Sequence, residues 1–240
     1  MKKRNKKGEK TMLTNEKKTA KKAATKETTS KKTSAKKATK KTVKSKNSGH
    51  LTIQYKARDE YYTPRILVEP IIEYIPKGAT VWCPFDTENS EFVHVLKEHG
   101  YKVIHSHLWD GKDFFEYTPA EHYDCIISNP PFSLKMDVFK RLFELGKPFA
   151  ILMNSSAEQY QCVGSLFYEM AQQGKYIQKL NPDKKVSFNG KGSSFNTAYF
   201  CWKFLPFDYI MCHLEHNNSG KHYVPSRMYE DATNNFESIA

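Results

Sequence analysis

Four consecutive residues, Asn129-Pro130-Pro131-Phe132, are the part of this sequence best built for chemistry. Two adjacent prolines forbid both a continuing strand and a helix interior, so the backbone must turn here. They also fix φ over two residues, and the resulting rigid loop projects the Asn129 side chain and the Pro130 carbonyl. Both are hydrogen-bond acceptors, and an aromatic ring follows them. The run leading in, Tyr123-Asp124-Cys125-Ile126-Ile127-Ser128, reads as a buried strand. The same residues also fit an ordinary strand-ending turn with Ser133 as a helix N-cap.

Such a loop needs a scaffold, and the rest of the chain outlines one. Residues 64–74 read as a helix, and residues 79–82, after Gly78, as a buried strand. Residues 91–99 form a second expected helix, with Phe92, Val95 and Leu96 at helical spacing and Gly100 behind it. Strands are expected at 102–105, 123–128 and 149–153, and helices at 136–145 and 166–173. Residues 186–188 and 197–202 read as late strands. Strands alternating with helices of about ten residues predict βαβ units and an α/β fold with a mostly parallel sheet. Such sheets hold ligands beyond the carboxyl ends of their strands, so a reactive residue should directly follow a strand. Asn129 does.

The stretch Asp124-Cys125-Ile126-Ile127-Ser128-Asn129-Pro130-Pro131-Phe132 resembles the catalytic motif of the adenine-specific N6 DNA methyltransferases, in particular small phage and bacterial ones. The likeness runs from about Tyr55 to Leu205. It implies a Rossmann-like S-adenosylmethionine-dependent methyltransferase fold and methyl transfer to the amino group of adenine in DNA. The residue types suit that reaction. The adenine amino nitrogen is a poor nucleophile because its lone pair is delocalised into the ring. Two acceptors, the Asn129 oxygen and the Pro130 carbonyl, can take both N–H groups and localise density on the nitrogen, a matter of positioning and preorganised electrostatics. Phe132 would stack on a base flipped out of a duplex or supplied single-stranded.

The resemblance also implies cofactor residues. Tyr62-Thr63-Pro64 is similar to the family's aromatic-Thr-Pro turn that holds the methionine end. Read from the residues alone, Thr63 is a helix N-cap and Pro64 the first helical residue. Pro84 and Phe85 resemble the family's first-strand loop, with Asp86 placed to face the methionine amino group. That loop departs from the pattern at Cys83, where an acid is common, and it contains no glycine. Asp113 and Phe114 resemble the motif that contacts the cofactor adenine, and equally fit an N-cap before core phenylalanines. Phe188 and then Phe195 are the candidates to support the target base, with Lys191 near the substrate backbone. A plain hairpin with core aromatics fits those residues too. Two other functions stay open: the loop recognises an amino group and not a sugar, so RNA is a possible acceptor, and the glycine-free loop would suit an inactive nucleic-acid-binding relative.

Charge divides the chain sharply. Residues 1–48 hold 19 Lys/Arg against three Glu, a net of +16, while residues 49–240 carry a net of −4. A segment so poor in apolar residues is expected to be disordered and to tether polyanions such as DNA, with a solubilising tail as the plainer reading. The expected organisation is this tail, a methyltransferase domain over 49–210 and an extension over 211–240. Five scattered cysteines without a Cys-x-x-Cys pair suit a reducing, intracellular setting and no zinc site. His105 and His107 lack a third metal ligand at recognisable spacing. No apolar run approaches the ~18 residues of a membrane span.

Overall fold

The computed structural model describes residues 62–191 and 196–228. Helix α1 (Arg65–Ile72) leads into strand β1 (Thr80–Cys83), helix α2 (Glu91–Glu98) and strand β2 (Lys102–His105). Strand β3 (Cys125–Ser128), helix α3 (Lys135–Leu145), strand β4 (Phe149–Asn154) and helix α4 (Gln161–Gln172) follow. Strands β5 (Gln178–Pro182), β6 (Thr197–Trp202) and β7 (Tyr209–Cys212) complete a seven-stranded sheet, ordered β2-β1-β3-β4-β6-β5-β7. Among the described strands only β6 is reversed: it is antiparallel to β4 and β5, and every other neighbouring pair is parallel. This is an α/β fold of the Rossmann-like kind. Among the described residues no helix is long and apolar enough to cross a membrane.

Successive strand residues point to opposite faces. Val81, Cys125, Ile127 and Leu152 pack with Leu67, Phe92 and Leu96 of α1 and α2. Trp82, Ile126, Phe149 and Ile151 pack on the other side with Phe139 and Leu142 of α3 and Val163 of α4. Helices on both faces leave the central strands apolar on both sides, which explains their unbroken apolar runs. The chain passes from β1 through α2 to β2 on one side, and β3 then adds to the other side of β1. Connections leaving β1 and β3 therefore diverge to opposite faces. In open α/β sheets such a divergence is where ligands bind.

The sheet differs from the expected one near its far edge. Residues 186–188 form no strand, although Val186 and Phe188 are buried. Ser187 instead bonds the C-terminal segment: its N–H donates to the Asn217 carbonyl at 2.9 Å, and its carbonyl accepts from Asn218 Nδ2 at 3.1 Å. The strands there are β5 and β7. β5 reads Gln-Lys-Leu-Asn-Pro and buries only Leu180, so it has little periodicity to detect. The boundary expected at residue 210 falls inside β7. Chain beyond it packs onto the domain, with Leu214, Asn218 and Ser226 buried and the Arg227 N–H donating to Glu91 at 3.1 Å.

Candidate active site

Three segments far apart in sequence meet beyond the carboxyl ends of β1 and β3. Asn129 is the first residue beyond β3, and its Nδ2 donates to Thr63 Oγ1 at 2.9 Å across 66 residues. Ser128, the buried last residue of β3, donates its hydroxyl to one oxygen of Asp86. Ser90 donates to the other, and also caps α2 by accepting from the Phe92 N–H at 3.3 Å. Asp86 thus bridges the loop after β1 to the end of β3. Asp86 is only 6 % exposed. Burial disfavours the charge and pushes its carboxyl up to about 6, against the opposite pull of the Ser128 and Ser90 hydroxyls.

The chain leaves the strand and turns at the two prolines. Pro130 is buried, and the Pro131 carbonyl accepts from the Leu134 N–H at 3.1 Å, closing a 3-10 turn over Phe132–Leu134. Lys135, the first residue of α3, donates to the Phe132 carbonyl at 3.1 Å and lies 4.0 Å over the ring of Tyr160. Tyr160 immediately precedes α4, so the connection after β4 buttresses the one after β3. Phe132 is half-buried against the core beneath α3 and α4.

Around this loop the expected cofactor residues divide. Thr63 does not cap α1: Pro64 occupies the N-cap position, Arg65 is the first helical residue, and the Thr63 hydroxyl meets Asn129 instead. Tyr62 is half-buried and Pro84 buried. Phe85 lies 4.8 Å from Phe114, and Phe114 lies 5.7 Å from Trp82. Phe114, 2 % exposed, backs the pair from the core, leaving Phe85 as its partly exposed member. Asp113 accepts from the Phe115 N–H at 3.0 Å, which closes its own turn. His105 pairs with Glu88 at 2.8 Å, and His107 accepts from the Trp109 N–H at 3.1 Å.

On the side expected to meet the target base, Phe188 is 5 % exposed and belongs to the core beneath α1 and α2. That placement matches the core-aromatic alternative. Lys191 is exposed at the end of the same segment, its N–H donating to Asn189 Oδ1 at 3.1 Å. Phe195 and the tail over 1–48 lie outside the described residues. Sequence reasoning missed Ser90, Ser128 and Lys135. Ser128 carried a signal, as the single hydroxyl ending an apolar strand. Lys135 carried none.

No protein-family model matches the chain, and no curated protein matches its sequence. Its structure is similar to the modification subunit assigned to a type I restriction enzyme of Vibrio vulnificus YJ016, at 12% identity and a TM-score of 0.46, over 80% of this chain and 56% of that one. It is similar to the type I restriction-modification methyltransferase subunit of Streptococcus thermophilus, at 12% identity and 0.45, over 76% of this chain and 54% of that one. The release-factor-specific protein-(glutamine-N5) methyltransferase of Alicyclobacillus acidocaldarius matches at 16% identity and 0.32, over 57% of this chain and 89% of that one. The chain spans little more than half the length of the two restriction-system subunits.

Proposed function

We propose that this chain transfers the methyl group of S-adenosylmethionine to the N6 amino group of adenine in DNA. One observation carries the reading. A rigid Asn-Pro-Pro loop leaves β3 at the switch point of a mostly parallel sheet, with its Asn129 amide held by Thr63. There Asn129 and the Pro130 carbonyl accept the two N–H groups of the adenine amino nitrogen and orient it, and Phe132 stacks on the ring. The proton displaced from nitrogen leaves to water once the new bond has formed.

The residues beside the loop suit the cofactor. A buried carboxylate already raised by desolvation gains most from a cationic neighbour, and Asp86 is such a carboxylate. Phe85, with Phe114 behind it, supplies an aromatic wall, and Tyr62, Pro84 and Asp113 complete the set. Thr63 and Pro64 lead from this side into α1. When bound, S-adenosylmethionine supplies an electrophilic methyl group on a sulfonium.

The test is methyl transfer from labelled S-adenosylmethionine to unmethylated DNA and to RNA, with products digested to nucleosides. Labelled N6-methyladenine from DNA is the expected product. The same product from RNA alone would move the acceptor, and no label together with no cofactor binding by calorimetry would sink the reading.

The Lys-rich residues 1–48 are inferred to tether DNA without selecting sequence. Each phosphate contact that they make contributes about 0.9 to the slope of log affinity against log salt. Deleting them is expected to weaken DNA binding and flatten that slope, while the rate on a short oligonucleotide at saturation is kept. Loss of that rate would show that the tail does more than tether.

A further inference from the structure

We infer that Tyr160 is a stacking platform for the DNA strand, taking the base of a nucleotide beside the adenine to be methylated. The inference deepens the proposed function and rests on the Asn-Pro-Pro loop receiving that adenine.

A strand that gives up one base to the reaction leaves its neighbours unstacked, and aromatic side chains commonly take them. Phe188, expected to supply a second aromatic surface, lies in the core. Among the exposed aromatic side chains of the described residues, only Trp109 and Tyr160 stand beyond the carboxyl end of a strand. Tyr168 lies within α4, Tyr176 and Phe207 precede β5 and β7, and Tyr209 opens β7. Trp109 follows β2, on the far side of β1 from Asn129. Tyr160 follows β4, which lies directly beside β3 and away from the Asp86 loop. That is the side left for the substrate strand.

The ring is held in place from its backbone and from one face. The Tyr160 N–H donates to the Ala157 carbonyl at 3.3 Å, and its carbonyl accepts from the Gly164 N–H at 2.9 Å. Gly164 permits this tight entry into α4, since a Cβ there would lie 2.8 Å from the Glu158 carbonyl oxygen. Lys135 Nζ sits over the ring, 4.0 Å from its centroid, and also donates to the Phe132 carbonyl at 3.1 Å. One ammonium thus joins the platform to the Asn-Pro-Pro-Phe loop. Tyr160 is nevertheless 50 % exposed, so the face away from Lys135 is open to a flat ligand. An aromatic ring beside a cation is the pairing that binds unpaired strands without selecting sequence. The side chains around it favour a base over an apolar protein partner: Ser133, Gln159 and Gln161 are exposed, uncharged and able to hydrogen-bond. The charge of Glu158, two residues away, is met by Lys179 at 2.6 Å.

The experiment uses the 240-residue chain and a pair of labelled single-stranded DNA oligonucleotides of equal length, one carrying bases and one abasic throughout. Binding is read by fluorescence anisotropy at raised salt, where phosphate contacts from the Lys-rich residues 1–48 are weakened. Tyr160→Ala is expected to lose roughly five- to a hundredfold in affinity for the strand with bases, the worth of one stacked base. Its affinity for the abasic strand should stay within about twofold, because the phosphate contacts are untouched. Tyr160→Phe keeps the flat ring and should bind both strands as the wild type does. Tyr160→Leu keeps apolar bulk without the ring and should behave as alanine does. At saturating DNA, kcat should stay within about threefold, and the Kd for S-adenosylmethionine within about twofold, since Tyr160 is assigned to the strand alone.

Equal losses on the two strands would overturn the inference and make Tyr160 a support for the loop. Unchanged affinity for the strand with bases would overturn it as well, as would a loss seen with an RNA oligonucleotide and not with DNA. The binding comparison needs no methyl transfer. If the wild-type chain transfers no methyl group, the proposed function fails on its own, and a base-dependent loss in Tyr160→Ala still supports the platform. Should the alanine variant not fold, Tyr160→Leu puts the same question.

Discussion

Asn129→Ala is expected to cut methyl transfer to adenine by roughly a hundred- to a thousandfold or more, the loss seen when one preorganised hydrogen-bonding group is removed from a reacting centre. The substitution deletes one of two acceptors for the substrate amino group, together with the tie to Thr63. The Pro130 carbonyl remains, but a single acceptor leaves the amino group able to rotate out of line. Folding should survive, because Asn129 lies past the end of β3 and makes no part of its ladder. Cofactor affinity should hold within about threefold, since the role assigned to Asn129 concerns the substrate. Single-turnover transfer, calorimetry and thermal unfolding measured on one preparation would separate the three. A variant that folds but no longer binds S-adenosylmethionine would remove Asn129 from the substrate side.

Asp86→Asn is expected to stabilise the chain at pH 8 and to weaken S-adenosylmethionine binding about tenfold or more, the worth of a lost charge pairing in a buried setting. Burial raises the Asp86 carboxyl from 3.8 to about 6. The folded chain therefore holds this proton more tightly than the unfolded chain does. Its contribution is fully favourable below about pH 4, declines as pH rises toward 6, and stays at its lowest above that. A shift of one unit is worth about 1.4 kcal/mol, so the decline amounts to about 3 kcal/mol at most. Asparagine carries no charge to bury, and one of the two serine hydroxyls can turn to accept from its NH2.

Denaturant unfolding at pH 4.5 and pH 8 reads the difference: the variant should gain on the wild type more at the higher pH. Equal effects at both values would show that the charge is not what costs stability. Unchanged cofactor binding would leave Asp86 as a tie between β1 and β3 and nothing more.

The Asn-Pro-Pro loop was legible because its signal is local. Pro130 and Pro131 cannot continue a strand, so the apolar run before them had to end there and turn. Strands β1, β2, β3, β4 and β6 were legible for a related reason. Each carries a short apolar run next to turn or cap residues, and those apolar side chains need cover whatever the topology. Strands β5 and β7 were not. β5 is mostly polar and buries only Leu180, while β7 is a four-residue apolar run that stays partly exposed at the sheet edge; both are held by backbone ladders that leave little mark on side-chain pattern.

The sequence by itself determined that Asn129 would project from a strand end, that a mostly parallel sheet would carry it, and that the positive charge would lie in residues 1–48. These follow from proline geometry, apolar period and charge count, which need no knowledge of who neighbours whom. Tertiary structure decided what those residues touch. Thr63 could have capped α1, and faces Asn129 instead. Asp86 could have faced outward, and is clasped by Ser90 and Ser128. Phe188 could have faced a bound base, and lies in the core. Each outcome depends on β3 lying against β1 or on how the C-terminal segment folds back. Those pairings between residues 42 to 66 positions apart are selected by the packing of the whole sheet and not by any local pattern.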